Sequence, residues 1–236
     1  MTGITRLLNS KSWRYATLEV CLIFIGITLA LLANAWYENR SERNEEIQIL
    51  AEVMASLRSD IDVFENRLVE IDEKLSAMKS LEDHILNGGP YSTDLNASFS
   101  HILNVQSANM NTTAFETLTF RGIELVSSAA LRAQLVDYYD SERANLDQRT
   151  TFDSADVYSA EPFYKANFRW INDSSRMLLM EPIDYDAIIE NQEFRNILTV
   201  RIWGQEQMTT DVYTRIKGKA ESLVLAIGDH LATLAP

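Results

Sequence analysis

Between Gly26 and Gly88 the chain contains neither glycine nor proline, and no other feature restricts its fold so tightly. Both residues are costly inside a helix, so their absence lets the whole stretch run as one. Two patterns lie along it. From Tyr15 to Trp36 there is one charged side chain, Glu19, and the rest is apolar or small. At about 1.5 Å per residue this segment spans roughly 33 Å, the thickness of a bilayer's hydrocarbon core. Beyond it, Ile47, Leu50, Met54, Leu57, Ile61, Phe64, Leu68, Ile71, Leu75 and Met78 alternate by three and four, filling consecutive a and d positions of a heptad seam. Their neighbours Arg58, Asp60, Glu65, Arg67, Asp72 and Lys74 are charged and mixed in sign, as a solvated helix back requires. The patterns predict one nearly continuous helix from about residue 12 to residue 86, stopped by Asn-Gly-Gly-Pro at 87–90.

Aromatic residues flank the apolar segment. Trp13 and Tyr15 precede its core and Trp36 and Tyr37 follow it, as interfacial anchors of a membrane span do. The rival reading is a cleaved signal peptide, because Ala33-Asn34-Ala35 has the small-x-small pattern of a cleavage site. An uncleaved anchor is favoured: the apolar run exceeds a signal core, Trp-Tyr follows the site directly, and helix-forming sequence continues beyond. Arg6, Lys11, Arg14 and the amino terminus before the span outnumber Arg40 and Arg43 after it. This bias predicts a cytoplasmic N-terminus and a periplasmic or external body.

Run backwards into the apolar segment, the heptad register reaches Arg43, Arg40, Trp36, Ala33, Leu29, Gly26, Leu22 and Glu19. Gly26 and Ala30 form a small-xxx-small pair, with Asn34 four residues on. Small residues let helix backbones approach in lipid, and polar side chains hydrogen-bond between helices. Glu19, Leu22, Gly26, Ala30, Ala33 and Asn34 are therefore the candidate contact face for another transmembrane helix, in a second copy or a different subunit. The alternative is that Glu19 snorkels to the headgroups and Asn34 lies in the far interface. Arg40 and Arg43 read as a collar at the headgroups.

After residue 92 the helical period returns. Helices are expected over 95–106, 112–121 with Gly122 as C-cap, 128–148 with Leu131, Leu135, Tyr138, Tyr139 and Leu146 inward, and 150–170 with Pro162 as a kink or internal start. A short piece at 173–180 and a last long helix over about 190–233 complete the chain, and the absence of any sustained two-residue alternation makes strands unexpected. The fold class is all-α: a short tail (1–12), a transmembrane helix (13–37), a long juxtamembrane heptad helix (38–86), and the remainder of an antiparallel helical bundle (93–236). The heptad seam can face the chain's own last helix or a second subunit.

Chemistry is sparse. His84, His101 and His230 are far apart and form no metal-binding spacing. There is no nucleophile elbow, phosphate-cradling loop or dinucleotide fingerprint. Asp184/Asp186 and Asp153/Asp156 lack the pattern of a calcium loop and read as helix-start acids. The aromatic run at 161–170 reads as a core layer in preference to a pocket. The lone Cys21 lies in the apolar segment, and the net charge of −13 argues against nucleic acid. Neither a cofactor nor an enzymatic activity is expected.

Two blocks carry a resemblance. The segment from Arg14 to Ile61, with Tyr15, Glu19, Gly26, Ile27, Ala30, Leu31, Asn34 and Trp36 at the signature positions, resembles the N-terminal signature of a family of bacterial single-span membrane proteins known only as a domain of unknown function. The segment from Thr112 to Tyr139, through Phe115, Glu116, Leu118, Gly122, Leu131 and Tyr138/Tyr139, resembles that family's second block. The resemblance implies a membrane-anchored, helical and uncleaved protein, and implies no activity; the bacterial inner membrane is the expected location. The expected role is a non-enzymatic oligomeric scaffold or accessory subunit of a membrane complex, with the bilayer and a second copy or another membrane protein as partners. A ligand-sensing module relaying through the long helix and, further off, a pore using Glu19 are the alternatives.

Overall fold

The computed structural model describes the backbone of residues 10–105, 107–172 and 178–234, with side chains from residue 18 onward in those ranges. The expected tail therefore lies largely outside the described residues, as do the side chains of Trp13 and Tyr15. Among the described residues the protein is mostly helical, with one small hairpin and the loops that join these elements. It divides into two units, Met1–Gln48 and Ile49–Pro236.

Helix α1 runs Ser10–Leu86. Its end is chemically specified. Gly88 takes φ +67°, its N–H bonds to the Ile85 carbonyl at 3.0 Å, and the Gly89 N–H reaches the His84 carbonyl at 2.9 Å. That pair of bonds is a Schellman cap, which needs the left-handed conformation glycine adopts freely. In the first unit, every side chain from Leu18 to Glu45 is exposed.

Among the described residues the second unit holds two apolar clusters. The first gathers Leu50, Leu57, Phe64 and Ile71 of α1 with side chains of α3 (Thr113–Arg121), α4 (Ala129–Val136), α5 (Arg143–Ser159) and α9 (Thr210–Leu234). The second gathers Met78, Leu81 and Ile85 with α2 (Leu95–His101), α6 (Glu161–Asn167), α7 (Tyr185–Glu190), α8 (Gln192–Trp203) and the hairpin. The seam thus packs inside the chain, on one of its two heptad rows. Leu50, Leu57, Phe64, Ile71 and Met78 are buried, whereas Ile47, Met54, Ile61, Leu68 and Leu75 are half-buried. Towards the start of the unit the buried face also takes in Ile49, Val53, Ser56 and Asp60, because several helices cover α1 there and a two-position seam is too narrow for them. Asp60 is accordingly not on a solvated back, as its charge suggested.

Helices α8 and α9 run antiparallel to α1. Lys79 pairs with Glu206 at 2.8 Å, Thr199 bonds Glu82 at 3.3 Å, and the Phe64 and Tyr213 rings meet edge to face at 5.9 Å. Among the described residues two π turns interrupt otherwise helical runs: Asp137–Glu142 between α4 and α5, and Gly204–Thr209 between α8 and α9.

Several expected elements are corrected. The helix expected over 95–106 stops at His101, and the one over 150–170 is the end of α5 followed by α6, with Pro162 in the first turn of α6, where its missing N–H is harmless. The final helix starts at Gln192, where Asn191 Oδ1 accepts from the N–H groups of Glu193 and Phe194. Strands do occur. β1 (Phe168–Asn172) pairs antiparallel with β2 (Leu178–Pro182) in the register Phe168↔Pro182, Trp170↔Met180, Asn172↔Leu178. Five-residue strands are too short for their alternation to stand out in sequence, and the pair is held by α2, where Ser100 Oγ accepts from the Met180 N–H at 2.7 Å. Residues 173–177 of the piece expected at 173–180 lie outside the described residues.

Candidate functional site

Along the expected contact face, Glu19, Leu22, Gly26, Ala30, Ala33 and Asn34 are all exposed, as are Trp36 and Tyr37. A Cβ placed on Gly26 would meet nothing within 4 Å. Asn34 is engaged along its own helix: its Nδ2 donates to Glu38 Oε1 at 2.8 Å. Arg40 lies over the Trp36 ring, 5.6 Å from its centroid. One 18-residue window of α1 is apolar enough to cross a membrane, and none of it is buried within the chain.

In the second unit the notable groups are buried and polar. Asp153 and Arg201, both about 2% exposed at the side chain, pair at 2.6 Å. Arg201 also donates through Nε to the Ile102 carbonyl at 2.9 Å and through Nη2 to the Asn104 carbonyl at 3.2 Å. Asp153 accepts further from Arg149 Nη2 at 3.2 Å and from Gln205 Nε2 at 3.2 Å. Arg149 Nε continues to Thr209 Oγ1 at 3.1 Å. The second π turn carries both Gln205 and Thr209 inward. With each of its three nitrogens engaged, the Arg201 guanidinium clamps α5, α8 and the loop after α2 together. Asp153 and Asp156 lie within α5 and are not helix-start acids, which corrects that reading. Asp184 does cap α7, accepting from the Ala187 N–H at 3.1 Å.

A second cluster surrounds the first π turn. Glu142 accepts from Lys219 at 2.6 Å and Arg215 at 3.1 Å, and Lys219 also binds Asp137 at 2.6 Å. Burial pushes the Glu142 carboxyl up, but hydrogen bonds from Lys219, Arg215 and Asn145 outweigh it and hold the group below its usual range. Tyr138 of the same turn donates to Asp60 at 3.1 Å. Tyr139 of the same turn stacks on Phe115 of α3 at 4.3 Å, and a groove of about 540 Å³ lies against them, with Glu116, Glu124, Asp140 and Arg143 on its walls. Gly122 closes one end with φ +109°, a conformation reserved for glycine.

The aromatic run at 161–170 is mostly core: Phe163, Tyr164 and Phe168 are buried with Phe99 and Phe194, while Trp170 remains 43% exposed. His84 bonds the Pro90 carbonyl and His230 lies 3.4 Å from Ser127 Oγ. Among the described residues no group of three or more His, Cys, Asp or Glu is placed to hold a metal.

A profile described as a family of unknown function, DUF6090, matches residues 19–203. The chain belongs to DUF6090. The DUF6090 match starts at Glu19 and takes in Asp60, the first π turn, Asp153 and Arg201. The second π turn and α9 follow it. No curated protein and no solved structure matches the chain. The buried charges of this DUF6090 protein were not legible as such. A lone Asp in an amphipathic helix reads as surface, and only its off-seam position beside Ser56, a second small polar residue one turn earlier, hinted at an inward place.

Proposed function

We propose that this DUF6090 protein is a non-enzymatic, single-span anchor of the bacterial inner membrane, cytoplasmic at its N-terminus, whose helical body lies in the periplasm. Its role is that of an oligomeric scaffold or accessory subunit of a membrane complex. The observation that carries this reading is the apolar window of α1, none of which is buried within the chain. So much exposed apolar surface calls for lipid or a partner. Gly26, Ala30 and Ala33 supply the small residues on which such a helix approaches another. Orientation is supported by the excess of Lys and Arg before the span. The test is Gly26→Cys and Ala30→Cys in a Cys21→Ser background, oxidised in native membranes. Crosslinked dimers or a discrete larger adduct are expected at both positions, and monomer alone ends the reading.

The groove over Phe115 and Tyr139 favours a second reading, a ligand-sensing body. Its lining of aromatic faces and mixed charges suits a small polar molecule. A small-molecule library screened against the full chain in mild detergent is expected to yield compounds that raise its melting temperature, an effect lost in Tyr139→Ala but kept in an exposed-surface variant. A screen without hits removes this second reading.

A further inference from the structure

The groove over Phe115 and Tyr139 gathers charges of both signs and keeps them apart. Glu116 comes from α3, Glu124 from the short turn after Gly122, Asp140 from the first π turn, and Arg143 from the start of α5. Among the described residues, the side chains of Arg143, Glu124 and Asp140 make no hydrogen bond or ion pair. The Glu116 carboxyl accepts from the Thr112 hydroxyl at 2.7 Å and meets no cation. The paired cluster of the same π turn behaves differently: there Glu142, Asp137, Lys219 and Arg215 close on one another at 2.6 to 3.1 Å. The groove charges therefore face a common space from separate elements, too far apart to neutralise each other. Its floor is aromatic and buried. Tyr139, which lines it, also keeps its hydroxyl buried with no hydrogen-bond partner among the described residues, a group that folding alone leaves unsatisfied.

Three carboxylates and one guanidinium give the walls a net charge of −2. A diamine would match the acids and leave Arg143 idle. A neutral amino acid would match Arg143, through the two parallel bonds a guanidinium makes to a carboxylate, but would bring a single cation to three acids. We propose that the groove binds a free dibasic amino acid, its carboxylate on Arg143 and its two cationic groups among Glu116, Glu124 and Asp140. The proposal rests on the ligand-sensing reading of the same groove and names the class of ligand for it. The methylenes between the two ends of such a molecule suit the Phe115–Tyr139 stack, and about 540 Å³ is the size of a small-molecule site. Each wall charge is exposed and contributes little alone, so affinity comes from matching all of them at once and weakens as salt is added.

The test is calorimetric titration of the full chain in mild detergent at low ionic strength, with L-lysine as the probe. A dissociation constant of about 1 mM or tighter is expected. L-norleucine, which lacks the second cation, and cadaverine, which lacks the carboxylate, should each bind at least about tenfold more weakly. Arg143→Gln is expected to weaken L-lysine about tenfold and to leave cadaverine unchanged, whereas Glu124→Gln combined with Asp140→Asn should weaken both. These side chains are exposed, so the variants should keep the wild-type melting temperature. No binding of L-lysine, or equal binding by the Arg143 variant, overturns the assignment. If L-lysine fails while another compound stabilises the chain in a Tyr139-dependent way, the dibasic class falls and the ligand-sensing reading stands; if nothing binds, both fall.

Discussion

Asp153→Ala is expected to cost the second unit roughly 3–5 kcal/mol, the loss typical when one partner of a buried ion pair is removed. The reason is the number of groups it strands. Arg201, Arg149 and Gln205 all donate to this carboxylate, and Arg201 would keep only the partly exposed Asp156 at 3.5 Å and two backbone carbonyls. A guanidinium 2% exposed cannot turn to water without opening the contact between α5 and α8. Arg201→Met is expected to cost less, because Asp153 would retain Arg149 and Gln205. The double variant should fall short of the sum by on the order of 1–3 kcal/mol, the coupling expected for residues in one network. Urea denaturation of the full chain in mild detergent measures all three. Single variants within about 0.5 kcal/mol of wild type, as ordinary surface changes are, would show that the cluster does not hold these helices together.

Phe64→Ala should lose a similar amount, roughly 3–5 kcal/mol, for a different reason. Phe64 is fully buried, packs edge-on against Tyr213 of α9, and lies on the buried heptad row, so truncation opens a void between two long helices that cannot close on it. Phe120, 92% exposed on α3, is the control, and Phe120→Ala should change stability by less than about 0.5 kcal/mol. The comparison decides what the seam is for. Equal, small effects at both positions would mean that the heptad row serves another chain and not this one.

Much of this arrangement could be read before any packing was known. The Schellman end of α1 follows from Asn-Gly-Gly-Pro, the close of α3 from Gly122, and the inward side chains of α4, the first π turn and α5 from their spacing. Each of these depends on neighbours within a few residues, where helix geometry and steric limits act. The hairpin was missed because its strands are short and owe their stability to α2 more than to their own pattern. The π turns escaped notice because one extra residue per turn leaves almost no trace in apolar spacing.

The long helix, its change from apolar surface to heptad seam, and the all-α class follow from the order of residues, because absence of breakers and apolar periodicity are local and additive along the chain. Which charges are interior follows from packing between distant segments. Asp153 and Arg201 stand 48 residues apart, and Asp60 and Tyr138 stand 78 apart. Whether a carboxylate can leave water depends on what distant chain brings to it, and periodicity carries no information about that partner.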